Sequence, residues 1–214
     1  MIMISKKLEE YIEKNIQEES DILTQLNRET NISVLRARMI SGHLQGRILS
    51  MLSKMIKPSR ILEIGTYTGY SSLCLAEGLT NDGLLITLEK EPELENIIMK
   101  YFNLSDYSNK IKLIIGDAKS EINALNETFD IVFIDGDKQD YVEFYNLVFP
   151  KVKAGGYIIA DNILWSGKVI EEVSPNDKDT KAILEFNTLI KNDIRVENVI
   201  LPVRDGLSII RKIY

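Results

Sequence analysis

The chain has 214 residues, 44% hydrophobic and 27% charged, an ordinary globular composition with enough apolar material for one sizeable core. Lys plus Arg number 26 against 32 Asp plus Glu, a net charge of -6, which excludes the broad basic field needed to collect nucleic acid or an anionic membrane. The one cysteine, Cys74, excludes an internal disulfide or a cysteine-zinc cluster and fits a reducing compartment, with the cytoplasm as the expected location.

Residues Met1 to Lys14 interleave apolar and charged positions without the apolar stretch of a secretory signal, so no cleavage is expected there. No apolar run approaches the roughly 18 residues of a membrane span. The apolar positions Ile4, Leu8, Tyr11, Ile12 and Ile16, and then Leu44, Ile48, Leu49, Leu52 and Ile56, recur at intervals of three and four. This periodicity predicts amphipathic helices over residues 1–57, a cap that packs on the rest of the chain.

After Pro58 the pattern changes to short β-rich runs, Arg60 to Ile64, Leu84 to Glu89, Ile111 to Ile115, Asp130 to Asp135 and Tyr157 to Asp161. Helical segments lie between them, Tyr70 to Leu79, Pro92 to Asn103, Lys119 to Leu125 and Tyr141 to Phe149. Such alternation predicts an α/β fold, a doubly wound parallel sheet with right-handed crossovers. Thr180 to Asn192 reads as a further helix, and Val196 to Leu201 with Leu207 to Ile213 as strands whose short link favours an antiparallel pair at the sheet edge. No repeat or Gly/Pro/Ser-rich linker separates two cores, so one domain over 1–214 is expected, with cap 1–57 and core 58–214. The polar stretch Ser166 to Asp179 is the least regular, and it follows the fifth strand at the end of the sheet where function tends to reside.

The first strand runs into Gly65-Thr66-Tyr67-Thr68-Gly69, and a helix begins near Tyr70. Glycine lets backbone approach a ligand closely. The free N–H groups of that helix start, with the hydroxyls of Thr68, Ser71 and Ser72, suit a carboxylate. Two glycines are also what any tight strand-to-helix turn uses. Glu63 before the turn and Glu89 at the end of the second strand tip the reading toward an adenosine pocket, where a carboxylate accepts the ribose hydroxyls. A dinucleotide site needs G-x-G-x-x-G, and Tyr67 occupies its second glycine position, which leaves S-adenosylmethionine as the cofactor. Gly116-Asp117-Ala118 would border the adenine, although Asp117 is equally placed to cap the next helix.

Strand four ends in Asp135-Gly136-Asp137-Lys138 and strand five in Asp161-Asn162. On neighbouring strands, Asp135 and Asp161 emerge from one edge, and with the Asn162 carbonyl they form a hard oxygen set suited to Mg2+, Mn2+ or Ca2+. Asp and Asn at strand ends also serve as turn and cap residues, and Asp137 competes as a ligand. Lys138 is either a solvated surface lysine or, beside a cation that lowers its pKa, a proton acceptor. Trp165 is either an aromatic wall for a planar substrate or packing at the sheet edge. His43 lacks an orienting acid in sequence, and Cys74 reads as a small core residue.

The segments LEIGTYTGYSSL, VFIDGDKQDY, ADNILWSGKV and LPVRDGLSI resemble those of the cation-dependent class I O-methyltransferases, the family of catechol and caffeoyl-CoA O-methyltransferases, in its compact bacterial form. The likeness spans nearly the whole chain. It implies a Rossmann-like methyltransferase fold, a mostly parallel seven-stranded sheet with an antiparallel edge strand and an N-terminal helical extension. It further implies that Asp135, Asp161 and Asn162 bind the cation and that Lys138 is the general base. Glu63, Gly65, Ser71, Glu89, Ala118 and Asp135 would contact S-adenosylmethionine, and the segment from Met39 to Gly46 would lie over it. Gly136 stands where many relatives have alanine, which leaves the ligands intact.

The reaction so implied is methyl transfer to a hydroxyl of a small catechol-like phenol, in-line, in a relatively dry pocket under the N-terminal helices and the 166–179 loop. A homodimer is the expected assembly. Two other classes remain at this point, a cofactor-binding protein without turnover and a nicotinamide-dependent oxidoreductase. A methyltransferase for RNA lacks a basic surface to hold a strand.

Overall fold

A computed structural model describes residues 6–214. Ile4, the first position of the predicted helical stripe, lies outside the described residues. Three helices come first: α1 (Lys6–Asn15), α2 (Asp21–Ser33) and α3 (Gly42–Ile56), with a short 3-10 turn, Ala37–Met39, before α3. The sheet then forms from β1 (Arg60–Ile64), β2 (Leu84–Glu89), β3 (Ile111–Ile115), β4 (Phe129–Ile134), β5 (Val152–Ala160), β6 (Val196–Leu201) and β7 (Leu207–Lys212). Between the strands run α4 (Tyr70–Ala76), α5 (Glu95–Leu104), α6 (Ala118–Ala124), α7 (Tyr141–Val148) and α8 (Lys178–Asn192).

The seven strands lie in the order β3-β2-β1-β4-β5-β7-β6. β1 through β5 pair in parallel, and β7 runs antiparallel to both β5 and β6, so the predicted antiparallel pair closes one edge of the sheet. Chain order reverses between β1 and β4, and the carboxyl ends beside such a reversal form the crevice where open α/β sheets take their ligands. No helix among the described residues is long and apolar enough to cross a membrane.

Both faces of the sheet are apolar because helices cover both. Leu62, Ile64, Val132, Ile134, Ile158 and Ala160 pack with Tyr141, Phe144 and Tyr145 of α7 and with Ile183 and Phe186 of α8. Ile61, Leu85, Ile131, Phe133 and Ile159, pointing the other way by strand alternation, pack with α2 to α5 through Leu23, Leu26, Leu49, Leu73 and Ile98. The N-terminal helices therefore share a core with the sheet. Glu63 falls among the residues of this second face, where its carboxylate meets the start of α4.

Several boundaries depart from expectation by one to five residues, β5 and α4 among them. β5 starts at Val152, ahead of the predicted Tyr157, because Val152 pairs with Phe129 across an irregularity in the β4–β5 register, and Gly155 takes a φ of +78° within the strand. α4 stops at Ala76, short of the predicted Leu79.

Candidate active site

The turn after β1 depends on Gly65, whose φ is +96°. A Cβ built there would stand 2.3 Å from the Asp135 carbonyl oxygen, so the tips of β1 and β4 meet at a separation that only glycine permits. The Gly65 N–H is spent on the Leu88 carbonyl at 3.0 Å, which ties the turn to β2 as well. Tyr67, at φ +52°, donates its backbone N–H to Glu89 Oε2 at 2.7 Å, and Glu91 donates its own to Oε1 at 3.0 Å. Glu89 is 6% exposed, so its carboxylate is fixed at the rim of the turn with lone pairs to spare.

The hydroxyls predicted to face an external carboxylate turn inward. Ser71 and Thr87 each donate to Glu63 at 2.6 Å, and Ser72 donates to it as well. Thr68 accepts from Thr30 of α2 at 3.1 Å. Glu63 has no solvent exposure, and its burial, strengthened by the charge of Asp135 and opposed by the three hydroxyls, pushes its pKa up to about 7. A buried carboxyl without an ammonium partner needs such donors, and this is why they are not left free. Asp117 is exposed and caps α6, accepting from Ser120 through both the backbone N–H and the hydroxyl at 3.0 Å. Ala118 opens that helix.

Across the reversal, Asp135 follows β4 and Asp161 follows β5, with the Asp161 N–H bonded to the Ile134 carbonyl at 3.0 Å. Burial pushes the Asp135 carboxyl up to about 7; the Lys138 ammonium pulls it back and Asp161 adds to the rise. Lys138 Nζ donates to Asp135 Oδ1 at 3.1 Å, to the Gly136 carbonyl at 3.1 Å and to the Tyr141 hydroxyl at 2.7 Å. Burial draws the Lys138 pKa down, but Tyr141 and Asp135 outweigh it, and the net shift is upward. The lysine is thus held in place, not a solvated one. Asp137, the competing ligand in the sequence reading, turns away: it is exposed and pairs with Lys90 at 2.9 Å.

Asp161 is 4% exposed. Its Oδ2 accepts from Gln45 Nε2 at 2.6 Å and its Oδ1 from the Asn162 N–H at 2.7 Å. Asn162, Trp165 and Ser166 all have positive φ, at 57°, 45° and 54°, so the loop after β5 holds an uncommon backbone course beside the site. The β6–β7 turn grips that loop: Leu164 N–H bonds the Asp205 carbonyl, Ile163 N–H bonds that of Gly206, and the Asp205 carboxylate accepts from Ser166 N–H. Arg204 of the same turn donates to the Ile40 carbonyl at 2.9 Å, which fastens the segment carrying the half-exposed Met39.

Trp165 is half-buried against the α7–α8 side of the core, so it packs there, and its indole N–H has no partner among the described residues. His43 is engaged with the Gln17 carbonyl at 2.7 Å. Burial raises the Cys74 thiol to about 12, which leaves it an inert core residue. Gly136 is packed against Phe144: a Cβ there would stand 2.9 Å from the ring, so alanine would require Phe144 to give way.

Gln45, Tyr141, Arg204 and Asp205 lie within segments that carry the resemblance, but no individual role could be assigned to them from the sequence. Tyr141 lies three residues beyond Lys138 at a helix start, a spacing that brings the two together. Gln45 left one trace, an amide among the apolar positions of an amphipathic helix.

The oxygen set fits a divalent cation. Asp135, Asp161 and Asn162 offer hard oxygen donors of the kind that Mg2+, Mn2+ or Ca2+ takes, while among the described residues no group of three or more Asp, Glu, His or Cys side chains is gathered closely enough to hold a metal ion by itself. The glycine turn and the fixed Glu89 carboxylate likewise fit an adenosine group.

Residues 13–213 match the model of an O-methyltransferase family. The chain is 34% identical over 179 residues to caffeoyl-CoA O-methyltransferase of Populus kitakamiensis, covering 79% of this chain and 76% of that protein. It is 29% identical over 225 residues to the Stellaria longipes enzyme of the same name, covering 100% and 93%. Among solved structures, the O-methyltransferase from Bacillus cereus in complex with SAH superposes with a TM-score of 0.89 at 26% identity, over 96% of this chain and 97% of that one. SAH-bound PaMTH1 of Podospora anserina gives 0.87 at 28% identity, over 96% and 94%.

Proposed function

Because the chain belongs to the O-methyltransferase family, we propose that it transfers a methyl group from S-adenosylmethionine to a hydroxyl of a small catechol-like phenol, with a divalent cation as cofactor. The observation that carries this reading is the meeting of Asp135 and Asp161 at neighbouring strand tips, with Lys138 pinned to Asp135 and Tyr141. The caffeoyl-CoA O-methyltransferases among its relatives and the solved neighbours in complex with SAH support the methyl-transfer part of this reading.

On the cofactor side, Glu89 would accept the ribose hydroxyls, Gly65 would let the backbone close on the methionine portion, and Ser71, Asp117 and Ala118 would line the remainder. Glu63 acts from behind, holding Ser71 and Ser72 at the start of α4. The cap segment around Met39 would cover the cofactor, fastened by Arg204.

Asp135, Asp161 and Asn162 would hold the cation, which is read as Mg2+, with Mn2+ or Ca2+ as alternatives. When bound, it supplies the positive charge that lowers the pKa of a phenolic hydroxyl and of the neighbouring ammonium. Beside that charge Lys138 would give up its own proton, against the upward pull of Tyr141 and Asp135, and its Nζ would then take the hydroxyl proton. Tyr141 keeps that nitrogen in place, since its own hydroxyl donates to the Asp161 carbonyl at 3.0 Å. Trp165 would border a planar acceptor at the loop after β5. A small acceptor, not nucleic acid, suits a chain of net charge -6. The exposed Met51 and Met55 of α3 would serve a two-fold dimer.

The experiment is transfer of radiolabelled methyl from S-adenosylmethionine to a panel of catechols and hydroxycinnamates, with and without EDTA. Labelled product that disappears with EDTA and returns with added Mg2+ or Mn2+ is expected. Undiminished product in excess chelator overturns the cation part, and tight cofactor binding with no product across the panel favours a binding protein.

A further inference from the structure

Gln45 is a buried polar residue for which the proposed reaction has no use. It sits on α3, is 1% exposed, and donates Nε2 to Asp161 Oδ2 at 2.6 Å across 116 residues of sequence. Burying an amide costs free energy unless it is hydrogen-bonded, and on an apolar helix face a leucine would avoid that cost. The bond to Asp161 is the side-chain bond that Gln45 makes among the described residues.

The reach of that bond is set by the next residue. A Cβ on Gly46 would stand 2.6 Å from Tyr70 Cε1 and 2.8 Å from Cys74 Sγ. Glycine therefore lets α3 lie close against α4, and this approach delivers Gln45 to the tip of β5. Asp161 Oδ1 is meanwhile held by the Asn162 N–H at 2.7 Å. With one donor on each oxygen the carboxylate plane is fixed, and each oxygen keeps a lone pair.

We infer that Gln45 is a positioning residue for the cation centre: its amide, brought by the N-terminal cap, presets the Asp161 carboxylate so that a dication meets an oriented ligand instead of a rotating one. Partners that orient a metal ligand in this way typically contribute about 10- to 100-fold to metal affinity. The inference rests on the cation reading of the site, and it makes the seating of the cap on the sheet a condition for tight cation binding.

The test is Mn2+ binding, read from free Mn2+ by electron paramagnetic resonance, to the wild-type chain and to Gln45→Met, which keeps length and volume but has no donor. SAH affinity and thermal stability are measured alongside. The expected result is a Kd for Mn2+ raised about 10- to 100-fold with SAH affinity unchanged. In turnover, the Mn2+ concentration for half activation rises while KM for S-adenosylmethionine stays. Equal Mn2+ affinity in the two proteins overturns the role of Gln45 and leaves the cation reading standing. A wild-type chain that binds no Mn2+ overturns the cation reading itself. Loss of SAH binding together with Mn2+ binding, or failure of the variant to fold, assigns Gln45 to helix packing and overturns the inference as well.

Discussion

Lys138 Nζ lies 3.1 Å from Asp135 Oδ1 and 2.7 Å from the Tyr141 hydroxyl, and each partner is three residues away in sequence. One short segment thus carries a candidate cation ligand, a candidate base and the group that holds the base in place. Replacing Lys138 with Met removes the proton acceptor and leaves the strands untouched. We expect kcat to fall about 10²- to 10⁴-fold, the usual contribution of a general base, with SAH affinity retained. A variant with near wild-type kcat would remove Lys138 from the chemistry.

Asp161→Ala and Asp135→Ala each take away one hard oxygen ligand. A bound dication that stabilises developing charge is worth several kcal/mol, so turnover stimulated by Mg2+ should fall by about 100-fold or more in either variant. Progress curves at increasing Mg2+ check this. Full stimulation in the Asp161→Ala protein would show that the cation, if used, binds elsewhere.

Gly65→Ala places a Cβ against the Asp135 carbonyl oxygen at a backbone φ of +96°, where side chains are strained. The tips of β1 and β4 must separate or the turn must change shape, and a loss of about 1–3 kcal/mol in unfolding free energy is expected. Because this turn also borders the cofactor pocket proposed above, SAH affinity should fall in step. Urea unfolding and SAH titration read the two effects, and an unchanged pair of values would contradict the close approach.

Glu63 gives a pH signature. Its pKa in the folded chain is pushed from the ordinary 4.5 up to about 7, so folding favours its protonated form. That contribution is complete below the unfolded value and is lost as pH rises through about 7. Relative to Glu63→Gln, the wild-type chain should lose stability between these limits with a slope of up to about 1.4 kcal/mol per pH unit. Unfolding of both proteins at about pH 5 and about pH 7.5 tests the difference. Parallel behaviour would mean that Glu63 stays ionised despite its burial.

Much of the fold and the site was legible in the sequence, for physical reasons that can be named. β1 and β4 carry apolar residues on both faces, interrupted by Glu63 in β1 and Asp130 in β4, because both faces of the sheet are covered, and each strand runs into its glycine or acidic residue where the chain leaves the sheet. The start of β5 was hidden because Lys153-Ala154-Gly155-Gly156 reads as a turn, whereas pairing of Val152 with Phe129 holds it in the strand. At the site, Asp135, Lys138 and Asp161 could be read because strand order places them together. Gln45 and Arg204 could not, since their partners, Asp161 and the Ile40 carbonyl, lie 116 and 164 residues away and only the packing of the cap on the sheet edge unites them. The inward turn of Ser71 and Ser72 was hidden for a related reason: a sequence shows donors and acceptors but not that a fully buried Glu63 will claim them first.

The most direct measurement is an anomalous difference map from crystals grown with Mn2+ and SAH. One strong peak is expected between the side chains of Asp135, Asp161 and Asn162, with oxygen atoms of all three at about 2 Å, the coordination distance of a small hard dication. A map with the Asp161 carboxylate bonded only to Gln45 and Asn162, and no metal peak touching Asp135, would contradict the cation reading.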